Sequence, residues 1–144
     1  MPSRLALAFT LALAFACGGE EDGGAATEEA ARCAQCGMRV DMAPEWTAGL
    51  GDERFDAPKC LFRWAAEHDR AATEGWVMEY YSGERRPAFE VLYVAGSDVL
   101  SPMGDDLVPV EGRESAERFA ADHGGRVVEP GAIDAALLAS LDPR

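Results

Sequence analysis

Apolar residues recur along this chain at two spacings, and each change of period marks a new element. Trp46 to Leu50, then Gly51-Asp52-Glu53, then Arg54-Phe55 predict a strand, a turn and a second strand. Asp56-Ala57-Pro58 opens a helix, with proline suited to the first turn. Leu61, Trp64, Ala65 and His68 then recur at helical spacing as far as Arg70, and Gly75 ends the pattern. Trp76 to Tyr81 is short and rich in aromatics, which predicts a strand, and Ser82-Gly83-Glu84 turns the chain. The second half repeats this order. Ala88 to Ala95 is the strongest strand pattern, Gly96 to Asp106 is a loop, and Leu107 to Val110 is a short strand. Ser115 to His123 is helical with Ala116, Phe119 and Ala120 on one face, and Gly124-Gly125 supplies the stop. Arg126 to Glu129 is a further strand, and Ile133, Leu137 and Leu141 mark a final short helix. The expected fold is therefore α+β, a single domain of two similar β-β-α-β units related by pattern and not by residue identity.

Ahead of these elements the pattern is different. Leu5 to Ala16 is an apolar run broken only by Thr10, preceded by Arg4. It is far shorter than the roughly 20 residues that span a bilayer, and it has the length of a signal-peptide core. Ala14-Phe15-Ala16 offers a cleavage signal with Cys17 directly after it, which resembles the bacterial lipoprotein box. Residues 1–16 are thus expected to be a lipoprotein signal peptide and Cys17 a lipidation site. Gly18 to Ala31 is Gly-rich and acidic with no aliphatic side chain larger than Ala, so residues 17–32 are expected to form a lipidated tether. The folded domain is expected to run over 33–144, exported and anchored to a membrane, facing the periplasm or the outside of the cell.

Charge narrows the partners. The 144 residues carry 13 Lys+Arg against 26 Asp+Glu, a net charge of -13. Nucleic-acid binding depends on clustered Lys and Arg, so that class is excluded. The 48% hydrophobic content is ordinary for a globular chain, and the length suits one domain.

Cys33-Ala34-Gln35-Cys36-Gly37-Met38 is the strongest candidate for chemistry. Two thiols separated by two residues can hold a soft metal or close a disulfide. Gly37 permits a tight turn that points Met38 toward the same centre, and a thiolate with a thioether suits Cu(I) above zinc. Met103, between Pro102 and Gly104 in a polar loop, is a further ligand candidate, with the edge of the core as its alternative place. Cys60 lies at a helix start, where a thiolate is favoured, although a small buried core residue is the commoner use of such a cysteine. Met42 is expected to pack under Trp46 and Met78 to alternate within a strand. His68 reads as a partly buried packing residue and His123 as a helix C-terminal cation. No nucleophile elbow, P-loop, dinucleotide fingerprint or zinc-protease motif occurs, so no enzyme constellation is on offer. A copper carrier, a thiol–disulfide oxidoreductase using Cys33 and Cys36, and a structural protein with a disulfide or zinc at the cysteine pair all remain open.

The order of several short motifs bears on that choice. Cys36-Gly37-Met38, Phe55-Asp56 before a helix, Tyr93-Val94-Ala95-Gly96-Ser97, Pro102-Met103-Gly104, Ala116 to Phe119 and His123-Gly124-Gly125-Arg126-Val127-Val128 follow one another after the leader. Together they resemble the NosL family, accessory lipoproteins linked to nitrous oxide reductase maturation, from about Cys33 to Val128. The resemblance implies a membrane-anchored Cu(I) metallochaperone, a binding protein and not an enzyme. It implies delivery of copper to nitrous oxide reductase or its membrane assembly complex. It carries Cys36, Met38 and Met103 over as metal ligands, with Cys33 and Cys60 as secondary ones.

Overall fold

A computed structural model describes residues 31–142 of the chain. The leader, Cys17 and all of the tether up to residue 30 lie outside the described residues. Ala31 and Arg32, at the tether's end, already join the fold: Val40 N–H donates to the Ala31 carbonyl at 3.0 Å, and Arg32 forms a bridge with Arg39.

Two antiparallel sheets with three helices make up the domain. In the first unit β1 (Ala48–Leu50) and β2 (Glu53–Phe55) form a hairpin, α1 (Pro58–Glu67) follows, and β3 (Trp76–Met78) returns beside β1. A fourth strand, β4 (Arg85–Pro87), adds to the outer side of β3, giving the order β2-β1-β3-β4. In the second unit β5 (Leu92–Ala95) pairs with β6 (Leu107–Val110), α2 (Arg113–His123) follows, and β7 (Arg126–Val128) returns beside β5. The order is β6-β5-β7. In each unit the first strand is central, flanked by its hairpin partner and by the strand after the helix. This is the two-unit α+β arrangement expected from the pattern. The C-terminal α3 (Ala135–Ser140) is capped by Asp134, whose side chain accepts from Leu137 N–H at 2.8 Å.

β5 joins the units because its side chains alternate between two cores. Val91, Tyr93 and Ala95 enter the larger cluster with Phe55, Leu61, Phe62, Ala65 and Val77. Val94 and its partly buried neighbour Leu92 enter the smaller one with Val108, Val110, Ala116 and Phe119. Phe62 of α1 meets the Tyr93 ring edge-on at 5.2 Å, so the first helix packs on the second sheet. Each such side chain, fully buried, contributes about 1.5–3 kcal/mol.

Several expectations change at the boundaries. The strand expected over 76–81 stops at Met78, because Glu79 N–H bonds to the Glu84 carbonyl and the Glu79 carboxylate accepts from Ser82 N–H at 2.6 Å, closing a turn. Ala88 to Val91 is a turn and not strand, with the buried Tyr93 hydroxyl donating to the Ala88 carbonyl at 2.9 Å. Trp46 belongs to a 3₁₀ turn (Pro44–Trp46), and α2 starts two residues earlier than Ser115. Met42 does not pack under Trp46; it is 68% exposed, on a 3₁₀ turn of its own. His68 is exposed past the end of α1, where its ring stacks on Trp64 at 4.1 Å. Among the described residues no helix is long and apolar enough to cross a membrane.

Candidate metal centre

The centre is assembled from three places that the first unit brings together. Before β1, Cys33 opens a tight turn in which Cys33 N–H donates to the Met38 carbonyl at 2.7 Å and Gly37 N–H donates to the Cys33 carbonyl at 2.8 Å. Gly37 takes φ +78, a left-handed conformation that glycine adopts without strain, and this returns the chain past Cys36. Ala34 N–H donates to the Arg54 carbonyl at 2.9 Å, docking the turn on β2. Asp56 directly follows β2, and Cys60 sits in the first turn of α1. Ala57 is the N-cap residue of α1 and no side chain caps the helix, so the Asp56 carboxylate is free for another use.

The donor atoms of Cys33, Cys36, Asp56 and Cys60 all lie within 4.8 Å of one another. Cys33, Asp56 and Cys60 are buried and Cys36 is exposed, so three of the donors lie inside the domain and one thiol at its surface. All three cysteines are free thiols. The Cys36 thiol donates to Asp56 Oδ1 at 3.3 Å, whereas Asp56 Oδ2 is buried without a hydrogen-bond partner.

These neighbours divide the thiols. A hydrogen bond from the Cys60 thiol holds Cys33 down to about 6, against the effect of burial. Burial pushes Cys36 up to about 12. Cys60 is pushed up by the hydrogen bond it gives to Cys33 and then by burial, and not lowered as its place at a helix start suggests. The shifts run in opposite directions because the thiols share hydrogen bonds with one another while burial raises each of them. Thiolates are the metal-binding form of cysteine, and three of them with one carboxylate can hold one ion.

The structure thus gathers Cys33, Cys36 and Cys60. Met38 and Met103 stand on two loops next to the gathered residues. Met38 is 39% exposed at the end of the cysteine turn. Met103 is half-buried against the larger core, in a turn where Ser101 and Gly104 bond each other through both backbone groups at 2.9 Å. That turn is tied to α1 by Lys59, the neighbour of Cys60. Lys59 is 1% exposed; its ammonium donates to the carbonyls of Met103 (3.1 Å), Asp105 (2.6 Å) and Leu141 (3.1 Å). Its backbone N–H donates to Asp106 Oδ1 at 2.8 Å. The two histidines are engaged elsewhere, His68 with the Trp64 carbonyl and His123 with Asp98.

Asp56 is the member that sequence reasoning missed. A carboxylate ahead of Pro58 reads as a helix-start residue. The signal that distinguishes it is its place four residues before Cys60, between apolar Phe55 and Ala57.

The fold has a counterpart among known proteins. The fold matches the crystal structure of the copper chaperone NosL from Shewanella denitrificans with a TM-score of 0.63 and 18% sequence identity, over 73% of this chain and 90% of that one. No curated relative matches this chain. The sequence model of the NosL family matches residues 25–138. Since that match takes in most of the chain, the chain belongs to the NosL family.

Proposed function

We propose that this protein is a Cu(I) metallochaperone, a binding protein that carries copper for the maturation of nitrous oxide reductase. The observation that carries the reading is the gathering of three free thiols within 4.8 Å, two buried and one at the surface. Cu(I) is a soft ion that favours thiolate and thioether ligands. Cys33, Cys36 and Cys60 supply thiolates, and Met38 and Met103 are the thioethers placed on adjoining loops. A carrier must hold its cargo and release it. The buried thiols serve the first need. Exposed Cys36 and Met38 serve the second, because a partner's ligands reach them first and displace them stepwise.

Delivery is part of the same reading. Cys17 carries the lipid, residues 18–31 hold the domain off the membrane on its outer side, and the recipient is nitrous oxide reductase or its membrane assembly complex. The acidic surface that goes with the net charge of -13 steers the domain toward a basic docking face. A thiol–disulfide oxidoreductase fits this site less well. Such an enzyme needs its low-pKa thiolate accessible. Here the thiol at the surface, Cys36, is the one pushed up to about 12, and the one held down to about 6, Cys33, is buried.

The test is an anaerobic Cu(I) titration of the reduced protein against a coloured Cu(I) chelator, beside Cys36→Ala and Met103→Ala. Stoichiometric binding that competes with the chelator and weakens by about tenfold or more in each variant is the expected result. Failure to compete with the chelator overturns the reading.

A further inference from the structure

The outer face of the first sheet carries side chains that the metal centre does not use. Trp76 of β3 lays its indole on β1: a Cβ at Gly49 would sit 2.5 Å from its Nε1, so glycine leaves the room that the ring fills. The Arg85 guanidinium, on β4, lies 3.7 Å from the centre of that ring, and the Arg54 guanidinium, on β2, lies 5.8 Å from it. The two charges thus stand within about 10 Å of each other, although their strands are the opposite edges of the sheet. Arg39, Arg63, Arg86, Arg113 and Arg118 each have a carboxylate partner; among the described residues Arg54 and Arg85 have none. A guanidinium donates in its own plane, so contact with a ring leaves its N–H groups for an anion. Among the described residues Glu74 is the one carboxylate lining the cleft beside Arg85.

The chain carries such anions close by. Ala34 N–H donates to the Arg54 carbonyl at 2.9 Å, so the chain enters the fold beside the strand that bears Arg54. Glu28 and Glu29 stand a few residues before Ala34, and Glu20, Glu21 and Asp22 lie upstream of them, across Gly23 to Thr27. At about 3.3–3.6 Å per extended residue, Glu28 and Glu29 reach roughly 16–22 Å from that bond. Arg85 is on the third strand over from Arg54, about 14–15 Å away at the usual strand spacing. Both guanidiniums are therefore within reach, and attachment to the same chain gives the carboxylates an effective concentration of about millimolar.

We infer that the acidic segment 18–30 docks on the Arg54–Trp76–Arg85 face of its own chain, with Glu28 and Glu29 accepting from the two guanidiniums. The contact is an intramolecular latch that charge holds and that salt or a competing anionic surface opens. Closed, it draws the segment in against the first sheet; open, it gives the domain the segment's full reach. The inference needs neither copper nor a lipid on Cys17.

The test reads the indole N–H resonances of Trp46, Trp64 and Trp76 in ¹⁵N-labelled, reduced, metal-free protein with residues 18–30 in place; Trp76→Phe identifies the Trp76 signal. Glu20→Gln, Glu21→Gln, Asp22→Asn, Glu28→Gln and Glu29→Gln are combined in one variant, Arg54→Gln and Arg85→Gln in a second, and all of them in a third. At about 20 mM NaCl the segment substitutions are expected to shift the Trp76 signal and leave those of Trp46 and Trp64 in place, and at about 500 mM NaCl the shift is expected to vanish. Without the two arginines the segment substitutions are expected to shift nothing. Unmoved Trp46 and Trp64 signals also report that the variants are folded. A Trp76 signal that ignores the segment's charges at low salt overturns the inference, and so does a shift that persists without the two arginines. A shift that grows with protein concentration assigns the face to the segment of a second copy and overturns the intramolecular latch. A Trp76 signal blind to the segment but moved by phosphatidylglycerol vesicles assigns the face to a lipid surface instead.

Discussion

The two β-β-α-β units share a strand order, and in both of them two residues separate the second strand from the helix. In the first unit those residues are Asp56 and Ala57; in the second they are Glu111 and Gly112. Asp56 is buried among thiols, whereas Glu111 is exposed and pairs with Arg86 at 3.2 Å. The third helical residue is Cys60 in α1 and Ser115 in α2. The first three residues of α1 are all buried, and the first two of α2 are exposed with Ser115 half-buried. The strand order is therefore not what makes the centre. It is made by the cover over one helix start: the Cys33–Met38 turn docked on β2, and the Met103 turn and α3 region tied to Lys59. Among the described residues nothing comparable covers the start of α2, which remains largely solvated.

The sharpest way to break this contrast is at the second helical residue. Lys59→Ala removes a buried ammonium and strips three carbonyls of their donor, and urea unfolding is expected to show a loss of about 3–5 kcal/mol. The equivalent Glu114→Ala removes only an exposed pair with Arg118 and is expected to change stability by less than about 0.5 kcal/mol. Equal effects of the two substitutions would mean that Lys59 does not hold the cover in place.

A smaller effect comes from Asp106, behind the same cover. Burial pushes its carboxyl up to about 6, against hydrogen bonds from Ser101, Leu107 and Lys59. Its folded value thus lies above the unfolded value of about 3.9, and the native state holds the proton more tightly. This contribution is fully present below about pH 4 and is lost as pH rises through about 6, amounting to at most about 3 kcal/mol. The difference in unfolding free energy between wild type and Asp106→Asn, followed from pH 3.5 to 7, is expected to fall over that window and then level off. A flat difference curve would show that the hydrogen bonds offset burial completely.

The smallest expected effect concerns the second unit itself. Ser115→Cys places a thiol at the position equivalent to Cys60, yet no cysteine turn and no buried carboxylate accompany it. Cu(I) stoichiometry is expected to stay as in the wild type, measured by the chelator titration described above. An additional bound ion would show that a helix-start thiol suffices.

What was legible in the sequence follows the same division between local and tertiary causes. Both long helices and strands β6 and β7 were readable because Leu61 and Ala65, Ala116 and Phe119, and Val108 and Val110 obey a local period that burial enforces. β4 was not, because Arg85-Arg86-Pro87 continues a polar turn in sequence. Its place at the sheet edge, paired on one side only, is what lets charges and a proline serve as strand. The opposite error at Ala88 to Val91 has a tertiary cause too, since an apolar stretch becomes a turn held by the Tyr93 hydroxyl. In the candidate site the spacing of Cys33 and Cys36 was visible, and Cys60 stood out by residue type. Asp56 did not, because a carboxylate just ahead of Pro58 reads first as a helix-start residue, and only the folded cysteine turn brings the Cys36 thiol to it.

The reach of Lys59 also sets an order of events during synthesis. Its bond to the Leu141 carbonyl spans 82 positions. A chain made from its N-terminus presents the cysteine turn, Asp56 and Cys60 long before that acceptor. Until Leu141 has emerged, the ammonium lacks one of the partners that make its burial tolerable, and the cover beside the thiols stays incomplete. The cysteine turn and Cys60 are thus made well before the last of the contacts beside them can form.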